Sequence, residues 1–341
     1  MAEISLCMIV KNEEKVLGRC LESAKELADE IVIVDTGSED RTREIAGSYT
    51  SLVYEIPWRD DFSQARNFSF SMATKEYCMW LDADDVISEE NRRKLLEYKG
   101  KMDGTEDVVM IKYTAGFDAA GRPSFTYYRE RILRNREDLR WKGRVHEAVE
   151  PRGNVVYWDA AIFHRKEGPG EPGRNLRIYE KMRAAGEVFG PRELFYYGRE
   201  LMYGGRTAEA VKVLEEFLER EDGWTENRIE ACENLDFCFR SLGKREEGLR
   251  ALLRSLSGEL LRDRAAFYGT GGLGDSGVLV RGGPWKRPAG HGRRIRQGGL
   301  PRIYSPHAAV RLLRPDGEAE GGLQASSGGE APEAGVGSGE V

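Results

Sequence analysis

The chain has 341 residues, enough for two cores, and carries 52 Lys and Arg against 58 Asp and Glu, a formal net charge of −6. That balance excludes whole-protein attraction to nucleic acid or anionic lipid, so a partner is neutral or recognised locally. Five cysteines without C-x-x-C spacing, and no apolar window near the roughly 18 to 20 residues of a membrane span, lead us to expect a soluble cytoplasmic protein.

Ile4 to Val10 is a short apolar run that predicts a strand, and Glu14 to Leu27 sets Val16, Leu17, Cys20, Leu21, Ala24 and Leu27 at helical spacing. Glu30 to Val34 predicts a second strand, closing at Asp35-Thr36-Gly37-Ser38 before a short helix over Asp40 to Ala46. A strand over Ser51 to Pro57, a helix over Ser63 to Thr74 and a strand over Glu76 to Leu81 repeat the unit. Such alternation implies an α/β domain with a largely parallel, Rossmann-like sheet. Ligands bind at the carboxyl ends of parallel strands. Lys11-Asn12-Glu13, Asp35, Asp60-Asp61 and Asp82 to Asp85 each follow one of the four strands, so they should gather along one sheet edge.

From Asp107 to His164 the pattern turns strand-rich, with runs at Val108 to Tyr113, Ser124 to Tyr128, Ile132 to Arg134 and Val155 to Phe163. An antiparallel extension over the site is expected. Gly168 to Gly173 reads as a linker, which puts one domain at 1–167 and helices at 174–262. There, Leu194, Tyr197, Gly198, Leu201, Ala210, Leu214 and Phe217 have the spacing of a tetratricopeptide helix pair. Leu235, Phe239, Gly248, Leu252 and Ser255 repeat it at an offset of 38 residues, with Asp236 where a small residue is usual. Residues 263–341 break this grammar: 19 of the 40 glycines lie from Gly269 onward, nine basic residues and no acid fill 281–314, and six acids and no base fill 315–341. We expect either a frameshifted end that truncates the repeats or a natural disordered tail.

Asp82-Ala83-Asp84-Asp85, behind the apolar run Tyr77 to Leu81, is the densest chemical signal. Carboxylates crowded at a strand end repel and cost desolvation unless they hold a cation or a sugar. Side chains alternate along an extended chain, so Asp82 and Asp84 face one side, where a hard divalent ion would bind them and diphosphate oxygens together. The bland alternative is a polar loop ahead of a helix starting near Ser88. Asp35 would accept from a nucleobase or ribose, or else make an Asx turn. Arg66 would bind a phosphate or orient the acids, or else form a surface ion pair worth about 0–1 kcal/mol. Trp141 to Glu147 joins an aromatic wall, a hinge glycine and a His-Glu pair, a setting for a general base or for ordinary loop charges. His164, closing an apolar strand, is either a satisfied buried histidine or a further metal ligand.

Val10-Lys11-Asn12-Glu13-Glu14, Val34 to Thr42, Asp61-Phe62-Ser63-Gln64-Ala65-Arg66-Asn67 and Trp80 to Asp85, in this order, resemble a family 2 glycosyltransferase of the GT-A fold. The nearest subgroup carries tetratricopeptide repeats and includes relatives of bacteriocin peptide glycosyltransferases. The resemblance implies a nucleotide-diphosphate sugar donor, Mn²⁺ or Mg²⁺, and inversion by direct displacement. It implies Lys11, Asn12 and Asp35 at the base, Asp82 at the ribose or metal shell, Asp84 and His164 at the metal, Arg66 near the sugar or diphosphate, and Glu147 as base beside His146. A peptide, protein or glycan acceptor, or another subunit, would occupy the repeats. The rival expectation is a non-catalytic scaffold that only binds nucleotide.

Overall fold

The computed structural model describes residues 2–168 and 170–257; the expectations for the tail at 263–341 lie outside the described residues. Strands β1 (Ile4–Val10), β2 (Glu30–Asp35), β3 (Val53–Glu55) and β4 (Tyr77–Trp80) alternate with helices α1 (Leu17–Ala24), α2 (Thr42–Tyr49) and α3 (Phe62–Met72). Then come β5 (Asp85–Val86), α4 (Glu89–Lys101), β6 (Val108–Phe117), β7 (Pro123–Arg134), β8 (Trp141–Lys142), β9 (Ala148–Val149) and β10 (Val155–His164). Eight of these strands form one sheet in the order β3-β2-β1-β4-β7-β6-β10-β5, and β8 pairs with β9 apart from it. The first four strands run parallel, β7 is antiparallel to both neighbours, and β10 runs parallel to β6. This is the largely parallel sheet that the sequence predicts.

The β1 run is buried almost throughout because it lies mid-sheet with helices on both faces. Asp61 caps α3 by accepting from the Gln64 amide, and Ser88 caps α4 by accepting from Asn91. Two expected strands, Ser124 to Tyr128 and Ile132 to Arg134, are one twelve-residue strand. The charged run Arg129-Glu130-Arg131 continues the ladder between them, and Glu130 and Arg131 are buried.

Helices α5 (Arg174–Ala184), α6 (Pro191–Tyr203), α7 (Thr207–Leu218), α8 (Thr225–Ser241) and α9 (Arg245–Arg254) follow. α6 packs on α7 and α8 on α9, as the repeat offset predicts, with α5 packed on α6 ahead of them. Their core includes Tyr179, Leu194, Phe195, Leu201, Leu214, Phe217, Cys232 and Leu235. Val145 joins that core, and Trp58 and Phe62 pack against it, so loops and the start of α3 share apolar surface with the helices. All described residues belong to one compact unit. No helix among them is long and apolar enough to cross a membrane.

Candidate functional site

The loops after β1 and β2 are laced together. Asn12, at φ 55°, donates its backbone N–H to Ser38 Oγ (2.9 Å), and its side-chain oxygen accepts from the Glu39 amide (2.9 Å). Asp35 is buried at the end of β2, and its Oδ1 accepts from the amides of Gly37 (2.9 Å) and Ser38 (2.8 Å). The Asx-turn reading therefore holds for one oxygen. Oδ2 is buried without a hydrogen-bond partner, which leaves it an acceptor with a desolvation cost to recover. Lys11 is exposed beside them.

Beyond β4 the acids divide between roles. Asp82 Oδ1 accepts from Arg66 Nη2 at 2.7 Å, and Arg66 Nε donates to Glu147 Oε1, also at 2.7 Å. The Arg66 guanidinium lies over both Trp80 and Trp141, 4.8 Å from each ring centroid. Its side chain is 9% exposed, so the surface ion-pair alternative fails. Burial opposes the Arg66 charge, yet Asp82 and Glu147 raise its pKa. Burial likewise opposes the charge on Asp82, but Arg66 and Arg131 bring its pKa down to about 2.

Asp84, Asp85 and His164 come together because the short β5 pairs antiparallel with β10, setting His164 opposite Asp85. One ligand atom from each lies within 4.8 Å of the others. His164 Nδ1 is 3.2 Å from Asp84 Oδ1 and 3.7 Å from Asp85 Oδ1. Contact with Asp84, then Asp85, pushes its pKa up to about 10, so a proton supplies the positive charge there. A divalent cation fits this set. The donors are hard or borderline, and Asp85 Oδ1 is buried without a hydrogen-bond partner.

Asp85 does not cap the next helix, a role that falls to Ser88. Its Oδ2 instead accepts from the Asp82 amide (3.0 Å) and from Arg131 Nη1 (2.9 Å), fixing the turn that presents Asp82 and Asp84. Three further residues are given no role by the motifs. Glu13 has its pKa raised to about 7 by burial and by Asp84 and Asp82, so it borders the acidic group; its signal was a carboxylate three residues past β1. Asn67 exchanges two hydrogen bonds with the Trp141 backbone, at 2.9 and 2.8 Å, and ties β8 to α3. Arg131, within an alternating charged run, gave no sign of burial.

His146, expected as the neighbour of a base, points to the helices instead. Its Nε2 lies 2.8 Å from Glu200 Oε1, and its ring stacks on Tyr196.

Residues 5–152 match the family model for glycosyl transferase family 2. A TPR repeat-containing protein of Synechococcus elongatus is 34% identical over 173 residues, covering 48% of this chain and 42% of that protein. The SPbeta prophage-derived glycosyltransferase SunS of Bacillus subtilis is 27% identical over 245 residues, covering 66% and 55%. The lipopolysaccharide core biosynthesis glycosyltransferase LpsC of Rhizobium meliloti is 33% identical over 170 residues, covering 45% and 58%. The chain spans about half the length of these curated relatives.

Proposed function

We propose that the chain, whose residues 5–152 match the glycosyl transferase family 2 model, moves a sugar from a nucleotide-diphosphate donor to a peptide, protein or glycan acceptor, with inversion. The observation that carries this reading is the line Glu147–Arg66–Asp82, linked at 2.7 Å on either side of Arg66, with Asp84, Asp85 and His164 adjoining it in sequence and strand pairing.

In this reading Lys11, Asn12 and the unpartnered Oδ2 of Asp35 receive the base, and Asp82 meets the ribose or the metal shell. Asp84 and His164, with Asp85 behind them, would hold Mn²⁺ or Mg²⁺. Such an ion supplies charge stabilisation for the departing diphosphate. His164 would give up its proton on taking a cation. Arg66 holds Oε1 of Glu147, so Oε2 is the oxygen that would take the acceptor hydroxyl proton. The acceptor oxygen then bonds to the anomeric carbon as the bond to the diphosphate oxygen breaks, and the diphosphate leaves with that electron pair. No covalent sugar–enzyme intermediate is required. The chain would work in the cytoplasm, with the repeats holding the acceptor or a partner protein.

A thermal-shift screen of UDP- and GDP-sugars with and without Mn²⁺ tests the reading. The matching donor at a hundredfold excess over Kd should add about 2.7 kcal/mol, seen as a rise in Tm that needs Mn²⁺ and is lost in Asp84→Ala. A rise that Asp84→Ala leaves intact would remove Asp84 from the metal site. If no donor binds and none is hydrolysed, the scaffold alternative stands.

A further inference from the structure

The loop that carries Glu147 is seated by the helical repeats. Between β8 and β9 the chain turns at Gly143 (φ 92°) and again at His146 (φ 52°), a left-handed conformation that a side-chain-bearing residue keeps only when its surroundings hold it. The surroundings here are mostly α5, α6 and the turn between them. Arg144 reaches Glu187 at 2.6 Å, while its carbonyl accepts from the Phe62 amide at 2.9 Å. Val145 is buried in the helical core. The His146 ring stacks on Tyr196 with centroids 4.2 Å apart and planes 15° apart, and its Nε2 meets Glu200 Oε1 at 2.8 Å. The His146 carbonyl accepts from Nε (3.2 Å) and Nη2 (2.6 Å) of Arg192. Asn175 of α5 donates to the same Glu200 oxygen at 3.2 Å. Glu147 comes next in the chain, with its carboxylate on Arg66.

We propose that Glu200 and Arg192, both on α6, are positioning residues for the transfer reaction: by clamping His146 in its left-handed turn they aim Glu147 at the acceptor. This rests on the reading of Glu147 as the base. The repeats are then part of the catalytic apparatus as well as a docking surface. Substitution of either residue should act on turnover and spare donor binding, because their hydrogen bonds run to His146 and Asn175, away from the loops after β1, β2 and β4. A shift of about 1 Å at a reacting group costs on the order of a hundredfold in rate, so a freed loop should lower kcat by roughly 10- to 100-fold.

The experiment measures nucleoside diphosphate release from a panel of UDP- and GDP-sugars with Mn²⁺, UDP affinity by calorimetry, and amide hydrogen exchange across residues 143–149. Glu200→Ala and Arg192→Ala should each lower kcat by roughly 10- to 100-fold while UDP affinity stays within about twofold, and exchange should quicken in 143–149 but not in β1 to β4. Glu200→Gln keeps an oxygen for His146 and should recover most of the rate. In a Glu147→Gln background, Glu200→Ala should cost nothing more, because its effect runs through Glu147. The proposal is overturned if Glu200→Ala turns over like the parent, if exchange in 143–149 is unchanged, if UDP affinity falls in step with kcat, or if the two losses multiply. Parental turnover by Glu147→Gln is a different result, which removes the base assignment itself.

Discussion

Asp85 and Arg131 meet at 2.9 Å with both side chains 0% exposed, and the guanidinium is covered by Trp80 and Tyr113, 3.8 and 4.3 Å from the ring centroids. A buried pair stabilises little as a whole, because desolvation offsets attraction, but losing one member strands the other. Arg131→Met should therefore cost about 3–5 kcal/mol in urea unfolding. Glu97→Gln, at the exposed pair with Lys101, should leave the midpoint where it was. Arg66→Lys is not conservative either. A single ammonium lying against two edge-to-face indoles cannot reach two carboxylates as a planar fork does, so folding should persist while turnover falls at least about tenfold. At this scale Asp35, Arg66, Asp82, Asp84, Glu147 and His164 all stand out from the sequence by residue type and position. Their couplings were hidden. Arg66 touches Glu147 across 81 positions, and Asp85 meets Arg131 across 46, so no local pattern reports either contact.

Among the elements, the repeats explain their own irregularity. A Cβ on Gly198 would lie 2.7 Å from Leu214, so in the first pair α6 is the helix that gives way to α7. In the second pair Asp236 occupies the position of Gly198, and a Cβ on Gly248 would lie 2.7 Å from Asp236 Oδ1 and 3.2 Å from its carbonyl oxygen. The small residue has moved to the opposite helix. Gly248→Ala should thus cost about 1–3 kcal/mol by overpacking, although alanine is the better helix former by about 1 kcal/mol. Asp236→Gly with Gly248→Ala copies the Gly198/Ala210 arrangement and should recover that loss in the same urea titration. The odd Asp236 was legible as an exception, but its compensation required knowing which helix faces it. β7 was misread for a related reason. Alternating charges look solvated in one dimension, and only the neighbouring strands reveal that Arg131 lies under aromatic rings.

At the scale of the molecule, the sheet and the repeats are joined by side chains from loops and from the start of α3, chiefly Trp58, Phe62 and Val145. Calorimetry of the parent should show the two parts melting in one transition, and Val145→Asp, which puts a carboxylate into the helical core, should lower its midpoint or split it. All five cysteines are buried, and burial raises the thiol pKa of Cys7, Cys20, Cys232 and Cys238. A disulfide reagent should therefore modify them only as fast as the protein unfolds. The division into a sheet part and a helical part was readable from periodicity. The seat that the helices provide for Glu147 was not, because it is made by single side chains meeting across the junction. Arg66 brings a last consequence. It has one positive charge and two carboxylates to satisfy, so in the proposed reaction a diphosphate arriving beside Asp82 would compete for that charge and loosen its hold on Glu147. Whatever factor the donor imposes on acceptor affinity, the acceptor must return to the donor. Donor Kd measured with and without acceptor should then differ by one factor, common to both ligands, that shrinks toward unity in Arg66→Ala: the two proposed substrates would negotiate their order of arrival through a single guanidinium.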